Sequence, residues 1–550
     1  RTPDFDEVYG KINEILEEKL NCTLSVDFLS WGEHDTKYSL LFSGGEDFDL
    51  IFTASSWGHY EQTVALGGFS ELTEEDIQTY APGIWDVVPE MAWDQAKIDG
   101  KVYMVPNYSN EFGQDVLAVR GDLMEEYGLD RAATTNLLYN GGLRIYATVD
   151  PEVQSVMENV WLEGKYWEPM PIENYDDPNN PDDTPRTITT QAAGVVINYK
   201  GELCGVVGGL GQKTENRGFN RGTEMERQVG STMKGVAAYP LGIDMDLINY
   251  SSVLMDDYFP ISDGKGGTRT DWPSNWSGRY SHSMTTVYEA LKQSLNTVAV
   301  RVGDWVTPRT MFEFARETLG ITTLDENSDI DLAPMVLGAT TTGLSPYELA
   351  GAYMMYGDGG RMTSLHSYTS VRDYQGNEIL EKDIVTTQAI GEDTAYIMNR
   401  LLHSVLFDRG GTAYGIHPDA NVMDSIGKTG TTNDNKDVWF VGLTPKYVMA
   451  TWYGYDQNEP MDDYNNYYIY KNKGSQKGHP GASAFAEVMD TVQADDEIVT
   501  WDMPETVEKG AFCTISGDIP TDGCPRGTGY YKTGVQRGVC TGIHATDPAA

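Results

Sequence analysis

The sequence is poor in positive charge and in long apolar runs. Its 550 residues carry 39 Lys and Arg against 83 Asp and Glu, which gives a formal net charge of −44. Proteins that bind nucleic acids use basic patches to displace counterions from the phosphates. The strongly negative net charge therefore argues against a nucleic-acid partner. No run approaches the roughly 18 apolar residues of a membrane helix, and the opening RTPDFDEVYG has no methionine and no apolar core. We therefore expect a mature or trimmed chain without an anchor or leader.

Cysteine is also scarce, with five in the chain, and three of them fall near the C-terminus as Cys513, Cys524 and Cys540. This Gly-rich tail has little apolar material for a core. A disulfide that staples it in an oxidising compartment is therefore our first interpretation, although three cysteines leave one unpaired. A zinc site completed by His544 is the alternative, which we rank lower because the spacings match no C-x-x-C pattern. We assign no metal and no cofactor to the chain.

Length and charge distribution indicate several domains. The chain is too long for one ordinary core. Residues 1–130 hold 27 Asp and Glu against 7 Lys and Arg, a net of −20 out of −44. We place a first domain at 1–130, a junction with an acidic Pro-rich loop at 131–190, the main domain at 191–497 and a Cys- and Gly-rich tail at 498–550.

The first domain alternates predicted helices and strands. Apolar residues at helical spacing predict a helix over 5–20, and TLSVDFL at 23–29 and FDLIFTA at 48–54 predict strands of a parallel α/β sheet. Residues 4–130 resemble the first lobe of the extracytoplasmic solute-binding proteins of ABC importers. Nothing after them resembles the second lobe. The resemblance therefore implies half a binding site at best.

The stretch VGSTMKG places Ser231 three residues before Lys234. If Ser231 opens a helix, both side chains share one face, and the helix N-terminus adds N–H groups beside the hydroxyl. A neutral lysine could then accept the serine proton. The S-x-x-K pattern also occurs at Ser262 and Ser425, however, so by itself it is weak support for a nucleophile.

Two further polar motifs follow in the chain. Ser294 and Asn296 form the single S-x-N, within a helical pattern that can aim both side chains into one cleft. Residues 428–431 read K-T-G-T ahead of an apolar strand; Gly430 permits close approach of a substrate, and Lys428, Thr429 and Thr431 offer a carboxylate pocket. A second K-T-G at 532–534 has no strand after it, and we interpret it as a turn.

The order S-x-x-K, S-x-N, K-T-G is the signature of penicillin-binding proteins and class A β-lactamases. Together with RIYATVDPEVQ, GFNRGTEMERQVGSTMKG and KTGTTNDNKDVWFVGLTP, residues of about 141–497 resemble the transpeptidase domain of class A penicillin-binding proteins. The resemblance implies an α+β fold in which helices flank an antiparallel sheet. The glycosyltransferase domain that precedes the transpeptidase in that class is not seen, so no lipid II polymerisation is expected, and a natural fusion and a recombined chain stay open.

The resemblance also implies a role for each motif residue. Ser231 would be the nucleophile and neutral Lys234 its base, with the backbone N–H groups of Ser231 and Thr431 as oxyanion hole. Ser294 would relay a proton and Asn296 would bind the donor peptide amide. Lys428, Thr429 and Thr431 would anchor the terminal carboxylate, and Gly430 would bind substrate by letting it approach the strand. No metal takes part.

The function implied is a serine D,D-transpeptidase that cross-links peptidoglycan stem peptides outside the cytoplasm and is acylated by β-lactams. Cell-wall or divisome partners are possible, and the oligomeric state is left open. The alternatives are a solute-binding module of an importer, which depends on residues 4–130, and a serine β-lactamase or D,D-carboxypeptidase. Hydrolytic turnover would require a carboxylate-activated water, and the sequence assigns no residue to it.

Overall fold

The computed structural model divides the chain into two compact units, Arg1–Val116 and Leu117–Ala550. In the first unit it describes residues 5–26, 37–38, 41, 49–54, 60–65, 67–81, 83–84, 88, 92–93, 96–98 and 100–106. In the second unit it describes residues 143–175, 186–213, 218–262, 268–373, 375–462, 464, 478–497 and 500–546. The domain junction predicted near residue 130 lies outside the described residues.

The first unit contains short helices and one hairpin in its described part. Its helices are α1 (Phe5–Leu20), α2 (Tyr60–Ala65) and α3 (Glu74–Tyr80), and its antiparallel strands are β1 (Lys97–Ile98) and β2 (Lys101–Val102). The predicted helix over 5–20 is therefore confirmed. The described parts of the two predicted strands, 23–26 and 49–54, are not strands, and no parallel pair occurs among the described residues of this unit. The likeness to a solute-binding lobe stays a prediction.

A five-stranded sheet forms the centre of the second unit, in the order β16-β17-β18-β6-β7, with every neighbouring pair antiparallel. Its strands are β6 (Gln191–Asn198), β7 (Leu203–Val207), β16 (Ile426–Thr431), β17 (Asp437–Leu443) and β18 (Tyr447–Gly454). β17 is buried along its whole length, as expected for an apolar strand covered on both faces. The predicted α+β fold with an antiparallel sheet is thus confirmed.

Helices cover the central sheet on both sides. In the described part of this unit the α-helices are, in chain order, α4 (Pro151–Glu163), α5 (Ala238–Asp244), α6 (Val287–Lys292), α7 (Asn296–Val306), α8 (Pro308–Glu313), α9 (Leu332–Leu337), α10 (Pro346–Tyr353) and α11 (Glu392–Phe407). A further helix, α12 (Pro480–Val492), packs Phe485 against Phe440 of β17, with the two ring centroids 5.6 Å apart. The neighbouring Trp439 points to the opposite face, where its indole N–H donates to the carbonyl of Gln228 at 2.8 Å. That second face carries the 3₁₀-helix Gly230–Gly235.

The remaining strands form small antiparallel sheets around this layer. Three of these sheets border it: β3 (Arg144–Ala147) with β13 (Tyr368–Arg372) and β14 (Glu378–Glu381), β4 (Pro171–Tyr175) with β5 (Arg186–Thr189), and β12 (Arg361–Thr363) with β15 (Thr386–Gln388). Two more are formed by the stretch of chain that connects α5 to α6: β8 (Val253–Met255) with β11 (Met284–Thr286), and β9 (Ile261–Ser262) with β10 (Thr268–Arg269). No helix of the described residues is both long and apolar enough to cross a bilayer.

The C-terminal tail forms an antiparallel hairpin of β19 (Val507–Cys513) and β20 (Arg526–Lys532). Its second K-T-G does lie at a turn, since β20 ends at Lys532 and Gly534 has φ +83°. The disulfide that we favoured for this tail is not formed, because all five cysteines of the chain are free. Three sulfurs near one imidazole give the tail a different kind of centre, which is described further below.

Candidate active site

Ser231 lies near the start of a helix, as the S-x-x-K interpretation requires, and this helix is the short 3₁₀-helix Gly230–Gly235 that also carries Lys234. Residues three apart eclipse each other in a 3₁₀-helix, so the two side chains meet directly. The Lys234 amine donates to Ser231 Oγ at 3.0 Å. Ser231 is half-buried, whereas Lys234 is fully buried. The serine therefore combines access from outside with a base held beneath it.

Ser294 lies at a junction between two helices, where the sequence predicts a continuous helical pattern. α6 ends at Lys292 and α7 begins at Asn296, and Ser294 has a left-handed φ of +58°. This uncommon conformation for a residue other than glycine lets both its oxygens face Lys234. The Lys234 Nζ lies 2.7 Å from Ser294 O and 3.3 Å from Ser294 Oγ, and 2.5 Å from Asn296 Oδ1.

Lys428 enters the same cluster from the edge strand β16. Its Nζ donates to Ser294 Oγ at 2.8 Å and to the carbonyl of Thr429 at 2.8 Å. Ser294 Oγ thus bridges the two lysines, and Ser231, Lys234, Ser294, Asn296 and Lys428 form one connected chain of hydrogen bonds. Three segments that are far apart in sequence converge here, as the motif order predicts.

The other K-T-G-T residues line the strand beside the 3₁₀-helix. Thr429 is buried and its hydroxyl lies 2.7 Å from that of Thr412, while Thr431 is exposed. A Cβ at Gly430 would lie 2.5 Å from the carbonyl oxygen of Val229, so only glycine allows this approach of strand and helix. Gly230 has φ +55°, and its Cβ would lie 2.5 Å from the carbonyl oxygen of Thr431. The backbones that carry Ser231 and Thr431 are therefore in contact.

Burial sets the protonation of the two lysines. It lowers the pKa of Lys234 well below its ordinary value, and the nearby charge of Lys428 lowers it further. Burial also lowers the pKa of Lys428, to about 7. Neither ammonium forms an ion pair with a carboxylate in the part of the chain that the structure describes. A neutral Lys234 can accept a proton from Ser231 along their 3.0 Å contact.

Asn275 is a site residue that the sequence does not reveal. Its side-chain oxygen accepts hydrogen bonds from the backbone N–H of Asn296 at 2.9 Å and of Thr297 at 3.4 Å, so it caps α7 from another segment. Its amide donates to Asp256 at 2.8 Å. The backbone carbonyl of Ser274 accepts a hydrogen bond from the side-chain amide of Asn296 at 2.6 Å. These contacts fix the direction of Asn296, and no motif marks them because their partners lie about twenty residues away.

The two other S-x-x-K serines do not join this cluster. Ser262 lies on the short strand β9, not on a helix. Ser425 is buried directly before β16, and its hydroxyl has no hydrogen-bond partner among the described residues. Of the three serines in that pattern, only Ser231 contacts its own lysine among the hydrogen bonds of the described residues.

The fold defines a class before any sequence comparison is needed. Solved structures that match it include penicillin-binding protein 1A from Haemophilus influenzae, with a TM-score of 0.58, 18% identity, and coverage of 76% of this chain and 77% of that one. Another is PonA1 from Mycobacterium tuberculosis in complex with penicillin V, with a TM-score of 0.51, 22% identity, and coverage of 70% and 93%. The fold is that of a penicillin-binding protein.

Sequence comparison narrows this class to a family. The model of the penicillin-binding protein transpeptidase domain matches residues 192–472, and the chain belongs to that family. It is 29% identical over 426 residues to penicillin-binding protein 1A of Clostridium tetani, which covers 76% of this chain and 51% of the relative. With penicillin-binding protein 1A of Clostridium perfringens it shares 28% over 560 residues, or 94% of this chain and 63% of the relative. The chain thus spans about half the length of the first of these relatives. The resemblance seen in the motifs is confirmed.

Proposed function

We propose that this protein is a serine D,D-transpeptidase that cross-links peptidoglycan stem peptides outside the cytoplasm and is acylated by β-lactams. Membership of the transpeptidase family supports the reaction class. The observation that carries the proposal is the 3.0 Å contact between Lys234 Nζ and Ser231 Oγ, within a chain that continues through Ser294 to Lys428. A serine is a poor nucleophile unless a neutral base accepts its proton, and this contact supplies one.

In the first half-reaction Ser231 Oγ attacks the carbonyl carbon of the penultimate D-alanine, while Lys234 takes the hydroxyl proton. The tetrahedral oxyanion accepts hydrogen bonds from the backbone N–H groups of Ser231 and Thr431; one such donor is worth about 3–4 kcal/mol in comparable sites. The carbon–nitrogen bond then breaks. The proton moves from Lys234 through Ser294 to the departing D-alanine amine, which leaves an ester on Ser231.

Substrate recognition falls to the strand and to Asn296. A charged Lys428 with the hydroxyls of Thr429 and Thr431 binds the terminal carboxylate, since charge-assisted hydrogen bonds are the strong ones in such pockets. Gly430 lets the peptide lie against the strand edge. The side chain of Asn296 forms a hydrogen bond with the amide of the donor peptide. In the second half-reaction an amine of a neighbouring stem attacks the ester carbon and gives a proton to Lys234. The bond to Ser231 Oγ then breaks, Lys234 returns the proton to Oγ, and the product leaves with a new amide cross-link.

Membership of the transpeptidase family favours transfer to an amine over rapid hydrolysis. A β-lactamase needs a carboxylate that activates water next to the ester. A D,D-carboxypeptidase remains the neighbouring alternative, since it shares the acylation step. The acceptor therefore distinguishes the two activities.

The test uses a synthetic stem pentapeptide with an excess of a D-amino acid as acceptor, with mass spectrometry of the products. We expect exchange of the terminal D-alanine for the acceptor, and loss of this exchange in Ser231→Ala. Ser425→Ala is the matched control, because it removes a buried S-x-x-K hydroxyl that has no partner in the described structure. Shortened peptide without any exchange product would instead identify a carboxypeptidase.

A further inference from the structure

The tail of the chain brings four metal-binding side chains together, far from the serine and its lysines in sequence. We propose that Cys513, Cys524, Cys540 and His544 bind one structural zinc ion that cross-links the β19–β20 hairpin to the segment after it. Cys513, Cys524 and Cys540 are buried, and His544 is half-buried on the 3₁₀-helix Ile543–Thr546. This ligand set replaces the disulfide that the sequence first suggests.

The spacing of the ligand atoms suits a tetrahedral ion. One ligand atom from each of the four side chains lies within 4.8 Å of all the others. Cys513 Sγ is 3.1 Å from His544 Nε2, and Cys540 Sγ is 3.7 Å from Nδ1 and 3.8 Å from Nε2 of the same ring. Zinc bonds of about 2.3 Å to sulfur and 2.0–2.1 Å to nitrogen place tetrahedral ligands roughly 3.5–3.8 Å apart. Small side-chain rotations therefore suffice to bind the ion.

Backbone hydrogen bonds hold together the segments that carry the four ligands. Cys513 ends β19 opposite Arg526, and its N–H donates to the carbonyl of Asp518 at 2.7 Å. A parallel bridge joins Ile519 to Val539, and the N–H of Cys540 donates to the carbonyl of Ile519 at 2.9 Å. The end of β19 and the loop after it thus present Cys513 and Cys524 to Cys540. The site is assembled by three separate segments of one small substructure.

Hydrogen bonds around the sulfurs favour a metal-bound thiolate. The backbone N–H of Gly542 points at Cys540 Sγ at 3.4 Å, and the hydroxyl of Thr521 lies 3.4 Å from Cys524 Sγ. Groups that orient and stabilise the ligands in this way are typical of metal sites. Three thiolates and one imidazole leave no open coordination position, so the site is structural and zinc is the metal that this donor set selects.

A cross-link would stabilise the tail, because little apolar core surrounds the site. Its buried apolar cluster around the site consists of the three cysteines alone. The hairpin packs on the body of the second unit through Ser251, whose hydroxyl donates to the carbonyl of Gly517 at 2.6 Å and accepts from Tyr531 at 2.9 Å. Phe512 contacts Tyr250 at a ring distance of 6.0 Å. A metal that fixes the loop at Gly517 therefore holds this contact surface in shape.

The test measures metal and thiols on the full chain, purified without a histidine tag or chelator. We expect about one zinc per chain by mass spectrometry of the metal, and five reactive thiols after denaturation. Replacement by cobalt should give the absorption of thiolate-to-cobalt charge transfer. Cys540→Ser and His544→Ala should lose the zinc, whereas the matched control Cys204→Ser, a buried cysteine outside the cluster, should retain it. A strong chelator should lower the melting temperature of the wild type and leave that of Cys540→Ser unchanged.

Three results would overturn the proposal. One is a wild-type chain that holds no zinc even after refolding with one equivalent of the metal. Another is the loss of two of the five thiols, which would mean that a disulfide takes the place of the ion. The third is an unchanged zinc content in Cys540→Ser and His544→Ala, which would place the metal elsewhere. The zinc content of the wild type is readable even if a variant fails to fold.

Discussion

At the scale of single residues, two buried lysines contact one hydroxyl, Ser294 Oγ, at 3.3 and 2.8 Å. Two ammonium groups repel each other so close together, so the two lysines must divide their roles. Lys234 has the pKa that is lowered by burial and by the other lysine, which fits it for the base. Lys428 keeps its charge up to a pH of about 7, which fits it for a carboxylate.

This division predicts a falling limb in the pH profile of acylation by penicillin. Lys428 must be charged to bind the carboxylate, and it loses its proton as the pH rises through about 7, so the rate constant should decline above that pH. Lys428→Arg keeps the charge at every accessible pH and should remove the decline, even if its longer side chain lowers the rate overall. Stopped-flow or gel-based acylation rates between pH 5 and 10 provide the measurement. An unchanged decline in Lys428→Arg would contradict the role given to Lys428.

The residues that carry the chemistry could be predicted from sequence more easily than those that hold them. Ser231, Lys234 and Lys428 stand in short motifs whose order is informative, and the structure brings them into one cluster. Asn275 could not be found in this way. Its contacts to α7 depend on the path of the chain between two helices, which leaves no local pattern.

At the scale of elements, the segments around the serine fit through glycines. Gly338, after α9, has φ +71°, and a Cβ there would collide with the backbone of Gly230 at the start of the serine helix. Gly320 has the same φ of +71° with open space around its Cβ position. Substituting each glycine in turn therefore separates the free-energy cost of the backbone conformation from that of the steric contact.

We predict that Gly338→Ala and Gly320→Ala share a loss of about 1–2 kcal/mol, because both put an L-residue in the left-handed region. Gly338→Ala should lose roughly 1–3 kcal/mol more through the collision and should slow acylation by displacing Ser231. Chemical denaturation and penicillin acylation rates measure the two effects. Equal losses of stability, with equal acylation rates, would mean that Gly338 does not support the serine helix.

The cap that Asn275 provides for α7 leads to a second prediction at this scale. Asn275→Ala leaves the N–H groups of Asn296 and Thr297 without this acceptor and should cost about 1–2 kcal/mol. Asp150→Ala removes the N-cap of α4, at a similar expected cost, on a helix outside the hydrogen-bonded cluster. Only Asn275→Ala should also reduce the acylation rate. If Asp150→Ala slows acylation as much, the effect belongs to general stability.

Element type was predictable where apolar periodicity was long, and less so at the site itself. The strand after K-T-G-T and the helix over 5–20 were predictable from the apolar pattern, whereas the antiparallel sheet was expected only from the resemblance to the family. At Ser231 the sequence suggests a helix without indicating its type, and the chain forms six residues of 3₁₀-helix that pack closely against β16 and Gly338. At Ser294 a helical pattern conceals a helix break, since apolar spacing continues through it.

At the scale of the whole molecule, the site and its core belong to one unit. Among the described residues, the main apolar cluster draws its buried members from Val153 to Tyr531, and a separate small cluster of Ile77, Val88 and Trp93 lies in the first unit. The sequence identified the larger unit through its motifs. The first unit carries no motif, and its predicted parallel sheet is not found in the described residues.

We therefore predict that a chain beginning at residue 143 folds and is acylated by penicillin at a rate within about threefold of the full chain. The physical reason is that the main apolar cluster and all the site residues lie after that point. Melting temperature and acylation rate of the shortened and full chains provide the comparison. A shortened chain that folds but is not acylated would show that the first unit takes part in the site.

The central claim is that Ser231, and no other residue, forms the acyl-enzyme. Its most direct test is peptide mapping by mass spectrometry after reaction of the full chain with penicillin. We predict a single penicilloyl group on the peptide that contains Ser231, present in Ser425→Ala and absent in Ser231→Ala. An adduct on any other peptide, or one that persists in Ser231→Ala, would contradict the account.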